Sequence, residues 1–364
     1  MTGADRKLRI LIVDDSAYSR RALRQMLADL LPGATFLTAS AGDEGLQMAF
    51  REQPDLIFLD LEMPRMDGFT FLRLLMARQP TPVLVVSGQN DEANVLKALD
   101  LGALDFVSKP TRTASTRIWE IEDQLRNKIQ LLDLPRLHLR KTAPAPPAFQ
   151  APREIHKALP EVYEAPRQLI CIGSSTGGPG TVSEILENVT LEPWASIVIC
   201  QHMPPGFTRA FAERLDRTLP FPVREIQDLD RVSAGTAFVC PGGANTTLSR
   251  GRELRWQVRP ASPDDRYVPA IDRLFESAAQ EFGPQTLAVV ITGMGNDGTA
   301  GARVVREAGG TVAAEDPASA IVFGMPQSIV EADLADHVYT AATMGGFLEQ
   351  WMRGLAGPRK PPSS

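Results

Sequence analysis

At 364 residues the chain is long enough for two or three domains at roughly 100 to 200 residues each. Its 38 basic and 44 acidic side chains leave a net charge of −6 with no basic block, which argues against nonspecific nucleic-acid binding through many phosphate contacts. Hydrophobic residues at 43% and charged residues at 23% are ordinary for a globular protein with real cores. No window approaches the roughly 18 uninterrupted apolar residues of a membrane span, and the start MTGADRKLRILIVDDS lacks a signal-peptide layout. Cys171, Cys200 and Cys240 sit in apolar runs and form no disulfide framework. A soluble, cytoplasmic protein without membrane insertion is expected.

Taken in chain order, short runs rich in branched residues occupy 8–13, 56–59, 83–86 and 106–107, with helical patterns at 17–31, 69–76 and 95–101 between them. From Pro135 to Pro166 there are seven prolines and little apolar period, which reads as a semi-rigid tether. Strand-like runs resume at 169–172, 197–200, 238–239, 288–291 and 311–314. This predicts domains at 6–134 and 167–357 joined by a linker at 135–166. Both alternate strand with helix, the signature of α/β folds with mainly parallel sheets covered on both faces. In such doubly wound sheets ligands bind at the carboxyl ends of strands, so the polar residues just after each run are the ones to weigh.

Asp14 and Asp15 follow the first run and Asp60 follows the second. Three carboxylates crowded at neighbouring strand ends call for a hard divalent cation, and Mg²⁺ prefers such oxygen ligands. Ser87 and Lys109 follow the next two strands, where they can contact a phosphoryl group on Asp60, and Pro110 stiffens the Lys109 turn. Any one acid after a strand can be a solubilising loop residue or a helix cap. Five polar residues at strand ends of one domain point to a shared site. The segments LIVDDS, LDLEMPRMDG, VVSG and GALDFVSKP resemble the receiver domain of two-component response regulators. The resemblance implies a flavodoxin-like fold, Asp60 as phosphoacceptor, Asp15 as direct Mg²⁺ ligand assisted by Asp14, Phe106 as the aromatic that reports the switch state, and a histidine kinase as phosphodonor.

In the second domain LICIGSSTGG runs from a strand into a glycine-rich turn and then a helical pattern from about Thr181. Gly173, Ser175 and Gly177 carry nucleophile-elbow spacing, although glycine-rich turns also bind phosphate and Ser174 is an equally nucleophilic neighbour. A serine hydroxyl needs a base. Of four histidines, His138 and His156 lie in the linker and His337 follows no strand end, whereas His202 closely follows the 197–200 run. Asp297 follows the 288–291 run and completes a Ser175, His202, Asp297 triad, in an order that argues against the α/β-hydrolase fold. Taken singly, His202 can be an ordinary polar residue and Asp297 a helix cap.

A competing reading is a dinucleotide fingerprint. Gly293, Gly295 and Gly298 follow a strand, and Glu315 ends the next strand about twenty residues on. Asp297 would then repel the pyrophosphate from inside its own loop.

IGSSTGGPG, QHMPPGFTRAFAERL, ITGMGNDGTAG and VFGMP resemble the catalytic domain of the chemotaxis protein-glutamate methylesterase family (CheB type), and with the receiver half the resemblance covers essentially the whole chain. It implies a Rossmann-like catalytic domain, the same triad, and Thr176 and the Met294 backbone as supports for the histidine and the oxyanion. It also implies a substrate, the glutamate methyl esters on cytoplasmic helices of chemoreceptors, and a side activity on receptor glutamines. No cofactor is expected for the ester chemistry. The stretch 265–272 departs from the family's usual Asn-Arg-His-Arg-Pro-Ser-Val-Asp: Arg266, Pro269 and Asp272 are kept, Tyr267, Val268 and Ala270 are not. Regulation is expected to run through the tether, with the resting receiver covering the Ser175 cleft. The alternative is a phosphorylation-gated docking module without hydrolysis; a transcription-factor output fits neither the acidic balance nor the strand-rich second half.

Overall fold

The computed structural model describes residues 7–88, 92–108, 122, 125, 126, 128, 129 and 164–355. The chain divides into two compact units, 1–150 and 151–364, and most of the proline-rich stretch falls outside the described residues.

In the first unit the order is β1 (Arg9–Val13), α1 (Ala17–Leu30), β2 (Thr35–Ala39), α2 (Gly42–Glu52), β3 (Leu56–Asp60), α3 (Gly68–Arg78), β4 (Val83–Ser87), α4 (Glu92–Asp100) and β5 (Asp105–Ser108). The strands form one sheet in the order β2-β1-β3-β4-β5, all pairs parallel. This is the flavodoxin-like order. β3 is buried along its whole length, which explains its unbroken apolar run. β2 was not among the expected strands. It lies at the sheet edge with Thr35 and Thr38 exposed, so no continuous run of apolar residues marks it.

The second unit contains β6 (Gln168–Ser174), α5 (Gly178–Leu186), β7 (Ala195–Gln201), α6 (Phe207–Thr218), β8 (Val223–Glu225), β9 (Ala237–Val239), β10 (Ala244–Arg250), β11 (Leu254–Pro260), α7 (Ile271–Phe282), β12 (Thr286–Val290), α8 (Thr299–Glu307), β13 (Thr311–Glu315), α9 (Met325–Glu331), β14 (His337–Tyr339) and α10 (Ala341–Met352). Seven strands make a parallel sheet in the order β14-β13-β12-β6-β7-β9-β8, while β10 and β11 form a separate antiparallel hairpin. From β6 the chain first builds outward through β7, then returns to lay β12 on the other side. That reversal opens a crevice at the carboxyl ends of β6, β7 and β12.

The core on one face of this sheet joins Phe238, Trp256 and Phe275. α7 contributes Ile271, Leu274, Phe275, Ala278 and Phe282, a spacing that puts them on one helical stripe. Each fully buried side chain of this size is worth about 1.5–3 kcal/mol relative to exposure. Cys171, Cys200 and Cys240 are free and buried. Among the described residues no helix is long and apolar enough to cross a membrane.

Candidate active site

β6 and β7 pair in parallel with Ser174 opposite Gln201, so Ser175 and His202 leave the sheet side by side. The amide of His202 donates to the Ser174 carbonyl at 3.0 Å and extends the pairing by one step. On the other flank of β6, the amide of Ser175 donates to the Thr292 carbonyl at 3.1 Å, which ties the nucleophile candidate to the loop after β12. A side-chain carbon at Gly293 would lie 2.8 Å from Cβ of Ser175, so only glycine lets this loop approach so closely. Met294, the next residue, is buried, and among the described residues its backbone N–H donates no hydrogen bond.

Asp297 ends the same loop and lies with Oδ2 2.8 Å from Nε2 of His202. The carboxylate has two sets of partners. It faces the imidazole, and it also accepts the amides of Ile271 at 2.8 Å and Asp272 at 3.0 Å, the first residues of α7. The positive end of that helix therefore faces the carboxylate. Burial pushes the Asp297 carboxyl up, but the hydrogen bond and charge of His202 and the two helix amides outweigh it and hold the group below its ordinary value. Burial, aided by the charge of Asp297, holds neighbouring Asp272 above the ordinary range against the pull of the Gly301 amide.

With Nε2 committed to Asp297, the lone pair of a neutral imidazole lies on Nδ1. Among the described residues the Ser175 hydroxyl makes no hydrogen bond; strand pairing, rather than a formed Ser–His bond, puts the two together. Such bonds often tighten only when substrate is bound.

Ser174, the alternative nucleophile, is fully buried, and its hydroxyl donates to Oε1 of Gln201 at 2.6 Å. The amide nitrogen of Gln201 donates in turn to the carbonyls of Ser175 at 2.8 Å and His202 at 3.3 Å. This clamp was not among the expected residues. A side-chain carbon at Gly178 would collide with Gln201, so the glycine that opens α5 makes room for it. Thr176 is buried, and its carbonyl accepts from the Thr292 hydroxyl at 3.0 Å.

Glu315 does not behave as a ribose-binding acid. It is fully buried, accepting from the Thr292 amide at 2.7 Å and the Ser319 hydroxyl at 2.8 Å, and so braces the 292–297 loop from beneath. With Asp297 held by His202 and α7, the dinucleotide reading loses both its acid and its loop. His337 lies in the edge strand β14 against Phe347 and Tyr339.

In the first unit, Asp14, Asp15 and Asp60 come together at the ends of β1 and β3, offering oxygens within 4.8 Å of one another. Three carboxylates at this spacing are the donor set a hard divalent cation takes. Asp14 and Asp60 are buried and Asp15 is exposed. The Asp14 carboxylate also accepts the Ser16 amide at 2.8 Å. Phe106 is buried in β5, with Nζ of Lys128 5.1 Å from its ring centre. Ser87 ends β4, its side chain outside the description; Lys109 lies outside the described residues.

A family profile described as CheB methylesterase matches residues 170–348, and one described as response regulator receiver domain matches residues 10–117. Protein-glutamate methylesterase/protein-glutamine glutaminase 3 of Geobacter sulfurreducens is 40% identical over 355 residues, 93% of this chain and 96% of the relative. The chain belongs to the CheB methylesterase family. Within that family, protein-glutamate methylesterase/protein-glutamine glutaminase 1 of Myxococcus xanthus is 41% identical over 340 residues, 93% of this chain and 95% of the relative. The crystal structure of the Thermotoga maritima CheB methylesterase catalytic domain covers 50% of this chain and 98% of that one, at 39% identity and a TM-score of 0.49.

Tyr267, in the 265–272 stretch, lies at the site. Its ring lies parallel to the His202 imidazole, with ring centres 5.2 Å apart and planes 7° apart.

Proposed function

We propose that the chain is a phosphorylation-regulated serine hydrolase that removes methyl groups from glutamate methyl esters on chemoreceptors and also deamidates receptor glutamines. The bond between His202 and Asp297, beside Ser175 at the open end of β6 and β7, carries this reading. The names of relatives at about 40% identity over nearly the full chain support the substrate.

His202 takes the Ser175 proton at Nδ1 as the serine oxygen bonds to the ester carbonyl carbon. Asp297 keeps the other ring proton on Nε2 and balances the imidazolium. Backbone N–H groups of the turn at Thr176 and of Met294 receive the oxyanion. His202 then returns the proton to the methoxy oxygen as the carbon–oxygen bond breaks and methanol leaves. Water attacks the acyl-serine by the same route, releasing the glutamate carboxylate and restoring Ser175. With a glutamine side chain the first leaving group is ammonia.

Regulation rests on the 6–134 half as a receiver, joined through the 135–166 linker to the 167–357 hydrolase. A histidine kinase serves as phosphodonor and Asp60 as acceptor, with Ser87 and Lys109 assigned as switch residues and Phe106 as the residue that reads the state. Asp14, Asp15 and Asp60 would hold Mg²⁺, which would neutralise the crowded carboxylates and phosphoryl oxygens. Converting a 1:99 population into 99:1 requires about 5.5 kcal/mol of differential stabilisation, so partial activation is the expected response.

A serine-reactive organophosphate separates the hydrolase from a docking module without chemistry. Mass spectrometry should find one adduct on the peptide carrying Ser175 and none in His202→Ala. An unlabelled parent chain, or equal labelling of the His202 variant, contradicts the reading. Ammonia release from receptor glutamines tests the second activity.

A further inference from the structure

Tyr267 belongs to the loop between β11 and α7, and that loop is fastened on both sides of it. Asp265 accepts from the Asn245 side-chain amide at 2.7 Å and the Ser262 amide at 2.8 Å, and it pairs with Arg273 at 2.5 Å. Asn245 reaches across to the far end of the loop, where its side-chain Oδ1 accepts the Ala270 amide at 2.9 Å. Between these anchors Tyr267 lies over His202 with nearly parallel rings. Its hydroxyl meets Asn296 at 3.4 Å, one residue before Asp297.

Two surfaces therefore define where the imidazole sits. Asp297 meets one ring nitrogen at 2.8 Å, and the Tyr267 ring lies parallel to the imidazole plane. An aromatic face carries negative quadrupole density, so it attracts a cation stacked on it. The imidazole becomes that cation when it takes the serine proton.

We propose that Tyr267 is the positioning residue of the base: its ring face sets the imidazole plane of His202 and favours the imidazolium that forms during ester cleavage. The inference rests on the reading of His202 as general base. Among the described residues, charged and titratable groups gathered here include Asp297, Asp272 and Cys200 beside it, and Arg266, whose guanidinium lies 5.2 Å from the Tyr267 ring centre. All of them remain when Tyr267 alone is changed.

The test compares the full-length parent with Tyr267→Phe, Tyr267→Leu and His202→Gln, following methanol release from methylated receptor across pH. Tyr267→Leu removes the aromatic face. It is expected to lower kcat about fivefold, leave KM within about twofold, and move the acid limb of the profile to lower pH by about half a unit. Tyr267→Phe keeps the face and is expected to match the parent within about twofold on both readouts. Two results overturn the proposal: a Leu variant with unchanged kcat and acid limb, or a Phe variant that falls as far as the Leu variant, which would assign the effect to the hydroxyl. If Tyr267→Leu fails to melt cooperatively, Tyr267→Met makes the same comparison. Loss of all activity in His202→Gln keeps the underlying reading intact; undiminished activity there removes the base assignment itself, a failure distinct from that of the stack.

Discussion

His202 and Asp297 share a 2.8 Å hydrogen bond through Nε2, and the same carboxylate receives the first amides of α7. One residue thus joins the helix to the imidazole. On the proposed reading the base uses its other nitrogen, Nδ1, toward Ser175.

Asp297→Asn should cost on the order of 10³- to 10⁴-fold in kcat. An amide NH₂ turned toward Nε2 forces the ring proton onto Nδ1, where it blocks acceptance from serine. Steady-state methanol release measures this, and a loss below about tenfold would show that the tautomer is set elsewhere.

The pH dependence of stability follows from the same carboxylate. The folded-state value of Asp297 lies below the ordinary 3.8, so its stabilisation is fully present above that pH and is lost as pH falls through the lower folded value. Thermal unfolding of the parent and Asp297→Asn should show a gap that persists from pH 7 down to about 4 and narrows below it. A gap that closes between pH 7 and 5 would contradict the depressed value.

Gln201→Leu removes one partner from the Ser174 hydroxyl and from two carbonyls, those of Ser175 and His202. Leaving such groups unpaired in a buried site costs about 1–3 kcal/mol, and loosening the strand ends should lower kcat about tenfold with little change in KM. A melt of the variant beside its kinetics checks both; unchanged kcat would reduce the clamp to a stability role.

Much of this arrangement was legible in the sequence because strand ends announce themselves. The runs 169–172, 197–200 and 288–291 are buried and apolar and stop at Gly173, Gln201 and Thr292, which drew attention to Ser175, His202 and Asp297 just beyond them. The helix α7 was missed although its apolar residues repeat at helical spacing, because attention to strand ends passes over the helix whose amides hold Asp297. Gln201 was hidden for a different reason. An amide at the last position of a strand carries no reactive signature, and its role exists only once β6 lies beside it. Tyr267 could be marked as a departure at 265–272, but its stack on His202 depends on a loop closed by Asn245 and Asp265 across twenty residues of chain.

In the receiver half, Asp60→Asn should abolish phosphoryl uptake from acetyl phosphate in Mg²⁺ while basal ester hydrolysis stays within about twofold. The three-carboxylate cluster also predicts that chelating the metal blocks uptake in the parent chain. A phosphate-affinity gel reads out both, and undiminished uptake by the Asp60 variant would move the acceptor elsewhere.

The most direct measurement is methanol release from a methylated receptor by the full chain and by Ser175→Ala. The account predicts a fall of at least about 10³-fold, leaving only what oxyanion donors and binding supply. A variant that releases methanol at a rate near the parent's would contradict it.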